Sequence, residues 1–418
     1  MLSSKLNSKI FKKLICFILC ACLLNSTFLS IMSLGFSTTD ATNIYKNASV
    51  DTLNVKSFSV VDFDSGTIII KSETGDSHYT IGNMVKIMTL YLTFEAMANN
   101  TITLDSEVRV TKNAQNAGSG RESVFLDYGK KEVITVKQAI EAICVASAND
   151  AAYALSETLA MNEDAFVVMM NEKAKELGLN NTCYQDSTGI KTIEEGQYSS
   201  SNDVAILSYH LIKNYPDILN YTTITFGYFK HTSTGQPDTQ MISSNDLIRK
   251  EFYEACDGLL TGYSKADGYA QCATASVDGK REVAVIIGAP DKSTRAGTLK
   301  FLIEFAMENY AHTLIASSGT FVRKINITDG KNLKVKTAVA SDLYVTINVN
   351  DVENVTSEIV LDGDIKAPVE SGVKVGSVVY KLNDQEIGRA DLVTAEKVEK
   401  AGWFTRLIRK ILEWLGIN

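Results

Sequence analysis

The most restrictive pattern in the chain lies between Thr135 and Val145. Thr135-Val136-Lys137-Gln138 has the side-chain types of a capping box, a helix start. Ala139, Ile140, Ala142, Ile143 and Val145 follow it. A helix this apolar on several faces needs neighbours on several sides, so it belongs inside a sizeable core. With 418 residues the chain is long enough for two or more units with such cores. The helical stretch then runs into Ser147-Ala148-Asn149-Asp150-Ala151-Ala152.

A second helix start lies upstream. Gly82 and Asn83 precede apolar residues at helical spacing, namely Met84, Ile87, Met88 and Tyr91. The pattern predicts a helix from Asn83 to about Asn99. Lys86 follows Asn83 by three positions, and side chains so spaced share a helical face. This is the layout of an S-x-x-K centre, in which a serine hydroxyl attacks a carbonyl and a neighbouring amine takes its proton. Asn83 holds the serine position and carries no hydroxyl.

Around these two starts the chain alternates helices and strands. Ser57 to Val61 and Thr67 to Lys71 read as a hairpin about Asp64-Ser65-Gly66. Val108 to Thr111 reads as a short strand, and Asn113 to Arg121 as a polar loop. Asp164 to Leu177 reads as a helix stopped by Gly178, and Ser199 to Asp203 as the cap of a helix over Val204 to Lys213. Asp257 to Tyr263 reads as one strand. Gln271 to Ser276 and Glu282 to Ile287 read as a hairpin about Asp278-Gly279, followed by a helix over Thr298 to Tyr310. After Ser318 the runs become short and alternating, between Gly, Asn and Asp turns, which predicts a small all-β domain over residues 319–395.

The two ends differ from the body. Lys5, Lys9, Lys12 and Lys13 precede the uncharged run Leu14 to Phe36. That pattern fits an export signal cleaved around Thr38 to Ala41, or an uncleaved N-terminal membrane anchor, over residues 1–40. Either places the body outside the cytoplasm. Cys20 sits poorly for a lipoprotein signal, because the apolar run continues past it. At the other end, residues 396–418 carry Trp403-Phe404, Leu407-Ile408, Ile411-Leu412 and Trp414-Leu415, with Arg406, Arg409, Lys410 and Glu413 between them. This amphipathic helix, Trp403 to Leu415, suits the interface of an anionic membrane, and the alternative is a helix docked on the β domain.

Composition removes other classes. A net charge of −8 gives no footprint for nucleic acid. Four histidines and the scattered Cys144, Cys183, Cys256 and Cys272 offer no metal-ligand spacing, so neither a metal nor another cofactor is expected. Those four cysteines read as core thiols, with a disulfide among them left open.

Three segments occur in a telling order: Asn83-Met84-Val85-Lys86, Ser147-Ala148-Asn149 and Leu260-Thr261-Gly262. They follow the succession S-x-x-K, S-x-N, K-T-G. They sit among Asp62-Phe63-Asp64-Ser65-Gly66, Lys86-Ile87-Met88-Thr89, Asn171 to Gly178, Asp257-Gly258-Leu259-Leu260-Thr261-Gly262-Tyr263 and Gly288-Ala289-Pro290. Over Val55 to Glu399 the chain resembles the serine D-alanyl-D-alanine carboxypeptidases, the low-molecular-mass penicillin-binding proteins. The β tail, with Ile387-Gly388 and Asp391-Leu392-Val393, and the terminal helix continue the likeness.

The resemblance implies an α/β (α+β) penicillin-binding-protein/β-lactamase-like transpeptidase fold over residues 41–318. It implies an acylated serine at the Asn83 position and Lys86 as its base. It makes Ser147 a proton relay and Asn149 the group that orients Lys86 and the substrate amide. A lysine at the Leu260 position would supply positive potential, Thr261 would bind the substrate carboxylate, and Gly262 would belong to the same substrate-binding segment, the strand after it giving a backbone N–H to an oxyanion hole. The implied partner is a peptidoglycan stem peptide ending in D-Ala-D-Ala. Asn83 and Leu260 depart from the pattern, so the expectation is a scaffold without its nucleophile. The alternative is a hydrolase with altered chemistry, such as a water activated by Lys86.

Overall fold

The computed structural model describes residues 50–414. A six-stranded antiparallel sheet is built from β1 (Ser57–Asp62), β2 (Ile68–Lys71), β3 (Cys256–Gly258), β4 (Thr261–Ser264), β5 (Gly268–Val277) and β6 (Lys280–Ala289). The strand order is β2-β1-β6-β5-β3, with β4 also paired to β5. Strand β1 is buried along its whole length because both faces of the sheet are covered. Alternation divides the apolar residues accordingly. Val61, Val283, Val285 and Ile287 enter one core, while Phe58, Val60, Ala284 and Ile286 enter the other.

The first core takes the helices α1 (Lys86–Ala98), α2 (Lys112–Gly118), α3 (Val136–Ala146), α4 (Asn149–Ala160), α5 (Glu163–Glu176) and α6 (Ser201–Asn214). The second takes α7 (Lys292–Asn309) through Leu299, Leu302 and Ile303. The expected central helix is α3, whose capping box forms. Gln138 N donates to Thr135 Oγ1 at 3.1 Å, and Thr135 N donates to Gln138 Oε1 at 2.9 Å. Ala139, Ile140, Ala142 and Ile143 are fully buried on it.

Three local expectations change. The polar stretch after Thr111 is the helix α2, capped by Thr111 and anchored by buried Ala114, rather than a loop. The single strand expected over Asp257 to Tyr263 is broken into β3 and β4 around buried Leu259 and Leu260. The helix expected to open at Asn83 begins instead as a 3-10 turn, Gly82–Val85, with the α-helix proper starting at Lys86.

Between α7 and residue 395 the chain is mostly strand. It comprises β7 (Tyr310–Ala316), β8 (Phe321–Asn326), β9 (Lys334–Val339), β10 (Leu343–Asn348), β11 (Thr356–Leu361), β12 (Lys374–Leu382) and β13 (Gln385–Thr394). Five of these form a sheet of order β8-β9-β13-β12-β11, and β7 pairs with β10. Ile325, Val335, Val378 and Leu392 are among the residues of its small core. This region meets the main sheet where Thr346 Oγ1 donates to Asp62 Oδ2 at 2.8 Å. A last helix, α8 (Trp403–Trp414), bonds back through Arg409 to Gly330 O at 2.6 Å and Lys331 O at 3.1 Å. Its Trp403, Phe404, Leu407, Ile408, Ile411 and Leu412 stay exposed. No helix among the described residues is long and apolar enough to cross a membrane. The expected N-terminal signal or anchor lies outside the described residues, as does Leu415. Cys144, Cys183, Cys256 and Cys272 are free thiols.

Candidate active site

The turn Gly82–Val85 is pressed against β4, backbone on backbone. Gly82 has φ +55°, and a side chain there would meet Tyr263 O at 2.5 Å. A side chain on Gly262 would meet Ile81 O at 2.2 Å. Only glycine permits so close an approach at these two points. The apposition holds Asn83 half-buried at the foot of α1, with Lys86 one turn on and wholly buried.

Lys86 Nζ donates to Asn83 Oδ1 at 2.6 Å and to Thr188 O at 2.7 Å. The Thr188 carbonyl is itself held in place. Asp186 Oδ1 accepts from Thr188 N at 2.7 Å and Gly189 N at 2.5 Å, and its Oδ2 accepts from Lys191 N at 2.6 Å. Thr89, also on α1, donates to Ser187 O at 2.7 Å. Burial pushes the Lys86 ammonium down to about 7, against the opposing pull of Glu122, Asp186 and Asp150. A substantial share of this lysine is therefore a neutral amine at neutral pH.

Ser147 and Asn149 occupy the break between α3 and α4. Ser147 ends α3 in the left-handed region, at φ 53° and ψ 31°, an unusual conformation for a residue with a Cβ. Asn149 opens α4 and donates its backbone N–H to Glu122 O at 2.9 Å. Its side-chain Oδ1 is buried and has no hydrogen-bond partner. Next to it, Asp150 accepts from Ser123 Oγ at 2.5 Å and Leu126 N at 3.0 Å, which fixes the loop that carries Glu122.

On the sheet side, Leu260 is buried in the first core and presents no polar atom. Thr261 Oγ1 lies 2.5 Å from Ser244 Oγ. The Ser244 carbonyl accepts from Arg295 Nη2 at 2.8 Å, and Asp246 Oδ2 lies 3.7 Å from the same guanidinium. Arg295 is almost wholly buried, and its Nε–H has no partner.

The fold thus brings Asn83 and Lys86 into direct contact and sets Gly262 against their turn. Ser147 and Asn149 adjoin the loop of Glu122, the charge acting most strongly on Lys86. Thr261 is turned to Ser244. Thr188, Glu122, Ser244 and Arg295 carry no spacing that marks them in the sequence. Arg295 could have been sought as a basic residue in the first turn after the Asp291 helix cap. Among the described residues no group of side chains could hold a metal ion.

The comparisons with known proteins bear on this arrangement. Residues 44–291 match the family model described as D-alanyl-D-alanine carboxypeptidase. The chain belongs to that family. Residues 310–400 match the model of the penicillin-binding protein 5 C-terminal domain. The D-alanyl-D-alanine carboxypeptidase DacF of Bacillus subtilis is 31% identical over 395 residues, covering 94% of this chain and 98% of that protein. The carboxypeptidase DacC of Escherichia coli is 27% identical, covering 87% and 90%. Among solved structures, penicillin binding protein 5 from Haemophilus influenzae superposes with a TM-score of 0.68 at 24% identity, covering 85% of this chain and all of that one. The fold is therefore the transpeptidase fold of these carboxypeptidases, followed by their all-β C-terminal domain.

Proposed function

We propose that this carboxypeptidase-family protein is catalytically silent and acts as a binding or regulatory module for peptidoglycan stem peptides. One observation carries the reading. At the nucleophile position stands an amide, and its oxygen occupies the amine that would activate a serine. An amide nitrogen is neither a nucleophile nor a base. Loss of such a nucleophile costs on the order of a millionfold in rate.

Two open groups support a retained ligand site. Asn149 Oδ1 is a buried acceptor waiting for a donor such as a peptide N–H. Arg295 Nε is a buried cationic donor, joined to Thr261 through Ser244, and suits a carboxylate. In this reading Arg295 carries the positive potential that Leu260 lacks, while Ser147, Thr261 and Gly262 shape the groove. Titration calorimetry with a D-Ala-D-Ala-ending pentapeptide tests it. Binding heat with no release of D-alanine is the expected result. Absence of heat would mean a closed groove and a purely structural protein.

One feature favours a second reading, an active hydrolase. A lysine held near 7 can take a proton from water at neutral pH. Release of D-alanine from the same pentapeptide would establish it.

The chain is further proposed to work on the outer face of the cell membrane. Residues 1–40 would direct export, residues 41–318 would carry the carboxypeptidase-like domain and residues 319–395 the β-rich one. Within residues 396–418, α8 would rest on the lipid. The exposed apolar face of α8 supports this placement.

A further inference from the structure

The five-stranded sheet of the β-rich region has two edges, and the sequence treats them differently. Strand β8 carries Arg323 and Lys324, and its pairing with β9 shifts register between Phe321 and Lys324. Exposed charge and irregularity keep an edge strand from pairing with another chain. Strand β11, at the other edge, has no lysine, no proline and no register shift against β12. Its one charge, Glu358, is engaged by Lys381 of β12 at 2.5 Å. Val360 and Leu361 are 42% and 39% exposed on it. Among the described residues no strand or bridge pairs with its outer side. We propose that β11 pairs with β11 of a second copy of this chain, antiparallel about a two-fold axis at Ile359, so that the two sheets join into one.

The register follows from which backbone groups face outward. Asp362 N donates to Val375 O, and a side chain on Gly376 would meet Val360 O at 2.3 Å. Residues 360 and 362 therefore turn their peptide groups inward, to β12. Direction alternates along an antiparallel ladder, so Ser357, Ile359 and Leu361 point their N–H and C=O groups outward. A symmetric pairing must set these three residues against one another, which leaves two central registers. In the register about Glu358, that carboxylate stands opposite its own copy, and like charges directly opposite are unfavourable. In the register about Ile359, an apolar side chain meets its own copy, Ser357 stands against Leu361 and Glu358 against Val360. Asp362 of each copy then falls in the row of Thr356 of the other, and Thr356 is paired with Lys381. Asp362 makes no salt bridge among the described residues, and Lys374 close to it is bonded to Asp391 at 2.6 Å. Across the axis each Asp362 gains the Lys381 of the second copy. Charge thus selects the register, and the strand is complementary to itself.

The contact needs no bound ligand and does not depend on whether the groove binds a stem peptide. One short strand per copy is a small interface, so the dimer is concentration-dependent. Sedimentation of the purified full-length protein, in a non-ionic detergent that covers its apolar ends, tests it from about 1 to 100 µM. A monomer–dimer equilibrium within that range is the expected result. Ile359→Pro removes an N–H that faces away from β12, and should weaken dimerisation at least about tenfold. Lys381→Glu and Asp362→Lys should each weaken it several-fold, while the double variant, which restores opposite charges across the axis, should regain it. Within one chain these two residues lie at opposite ends of β11, so only a second copy can produce that rescue. Monomer throughout the range would overturn the proposal. So would a dimer undiminished in Ile359→Pro or, should that variant fail to fold, a dimer that both single charge variants leave unchanged.

Discussion

At Asn83 the side chain that replaces a hydroxyl also solves a burial problem. A lysine taken fully out of water needs acceptors, and Asn83 Oδ1 and Thr188 O provide two. Asn83→Leu would strip one of them and should lower stability by about 1–3 kcal/mol, read as an earlier urea midpoint with an unchanged slope. Repair is the converse experiment. If the proposed reading holds, Asn83→Ser together with Leu260→Lys should make the protein covalently acylated by penicillin where the parent is not. Failure in a folded double variant would mean that the Ser147, Asn149 and Thr261 side of the groove has decayed as well. The spacing of Asn83 to Lys86 was legible because both lie on one helical turn. Thr188 was not, because its contact with Lys86 spans 102 positions of sequence and is made by a backbone carbonyl. Arg295 was hidden for a similar reason: its partners Ser244 and Asp246 stand on a distant loop.

Elements with their own local code were read closely. The capping box at Thr135 and the turn at Asp278-Gly279 set α3 and the β5–β6 hairpin through residues only a few positions apart. Elements fixed by tertiary packing were not. The stretch α2 has the Asn and Gly content of a loop, and buried Ala114 against the body makes it a helix. Leu259 and Leu260 look like strand interior, yet both go into the core and split the strand. The outward face of α8 makes a prediction at this scale. Full-length protein without the N-terminal 40 residues should co-sediment with vesicles rich in anionic lipid, and deletion of residues 403–414 should abolish it. Binding that survives the deletion would assign the membrane contact to another surface. Raised salt should weaken binding if Arg406 contributes.

Across the whole molecule, the main sheet and the β-rich region meet at an acidic junction. Asp62 and Glu282 stand opposite each other on β1 and β6, both buried. Asp62 takes the Thr346 hydroxyl of the β-rich region. Burial pushes the Glu282 carboxyl up to about 8, with Asp62 and Asp64 adding to the rise and Lys280, at 3.5 Å, opposing it. An unfolded glutamate releases its proton near 4.5, while the folded protein keeps this one to about 8. Between those values the folded state holds the extra proton, so stability falls as pH rises through the window. Glu282→Gln should flatten that slope, which melting temperatures between pH 5 and 8.5 would show. An unchanged slope would place the acid penalty elsewhere. Lys280 also donates to Ala306 O, Met307 O and Tyr310 O, tying the same junction to the end of α7.

The transpeptidase scaffold is whole, and the proposed reading is that the group that would form the acyl bond is absent. Fluorescent penicillin incubated with the purified protein measures that directly. The account predicts no labelled band after denaturation, at any drug concentration that labels an active carboxypeptidase. A denaturation-resistant band that disappears when unlabelled penicillin is added first would contradict it.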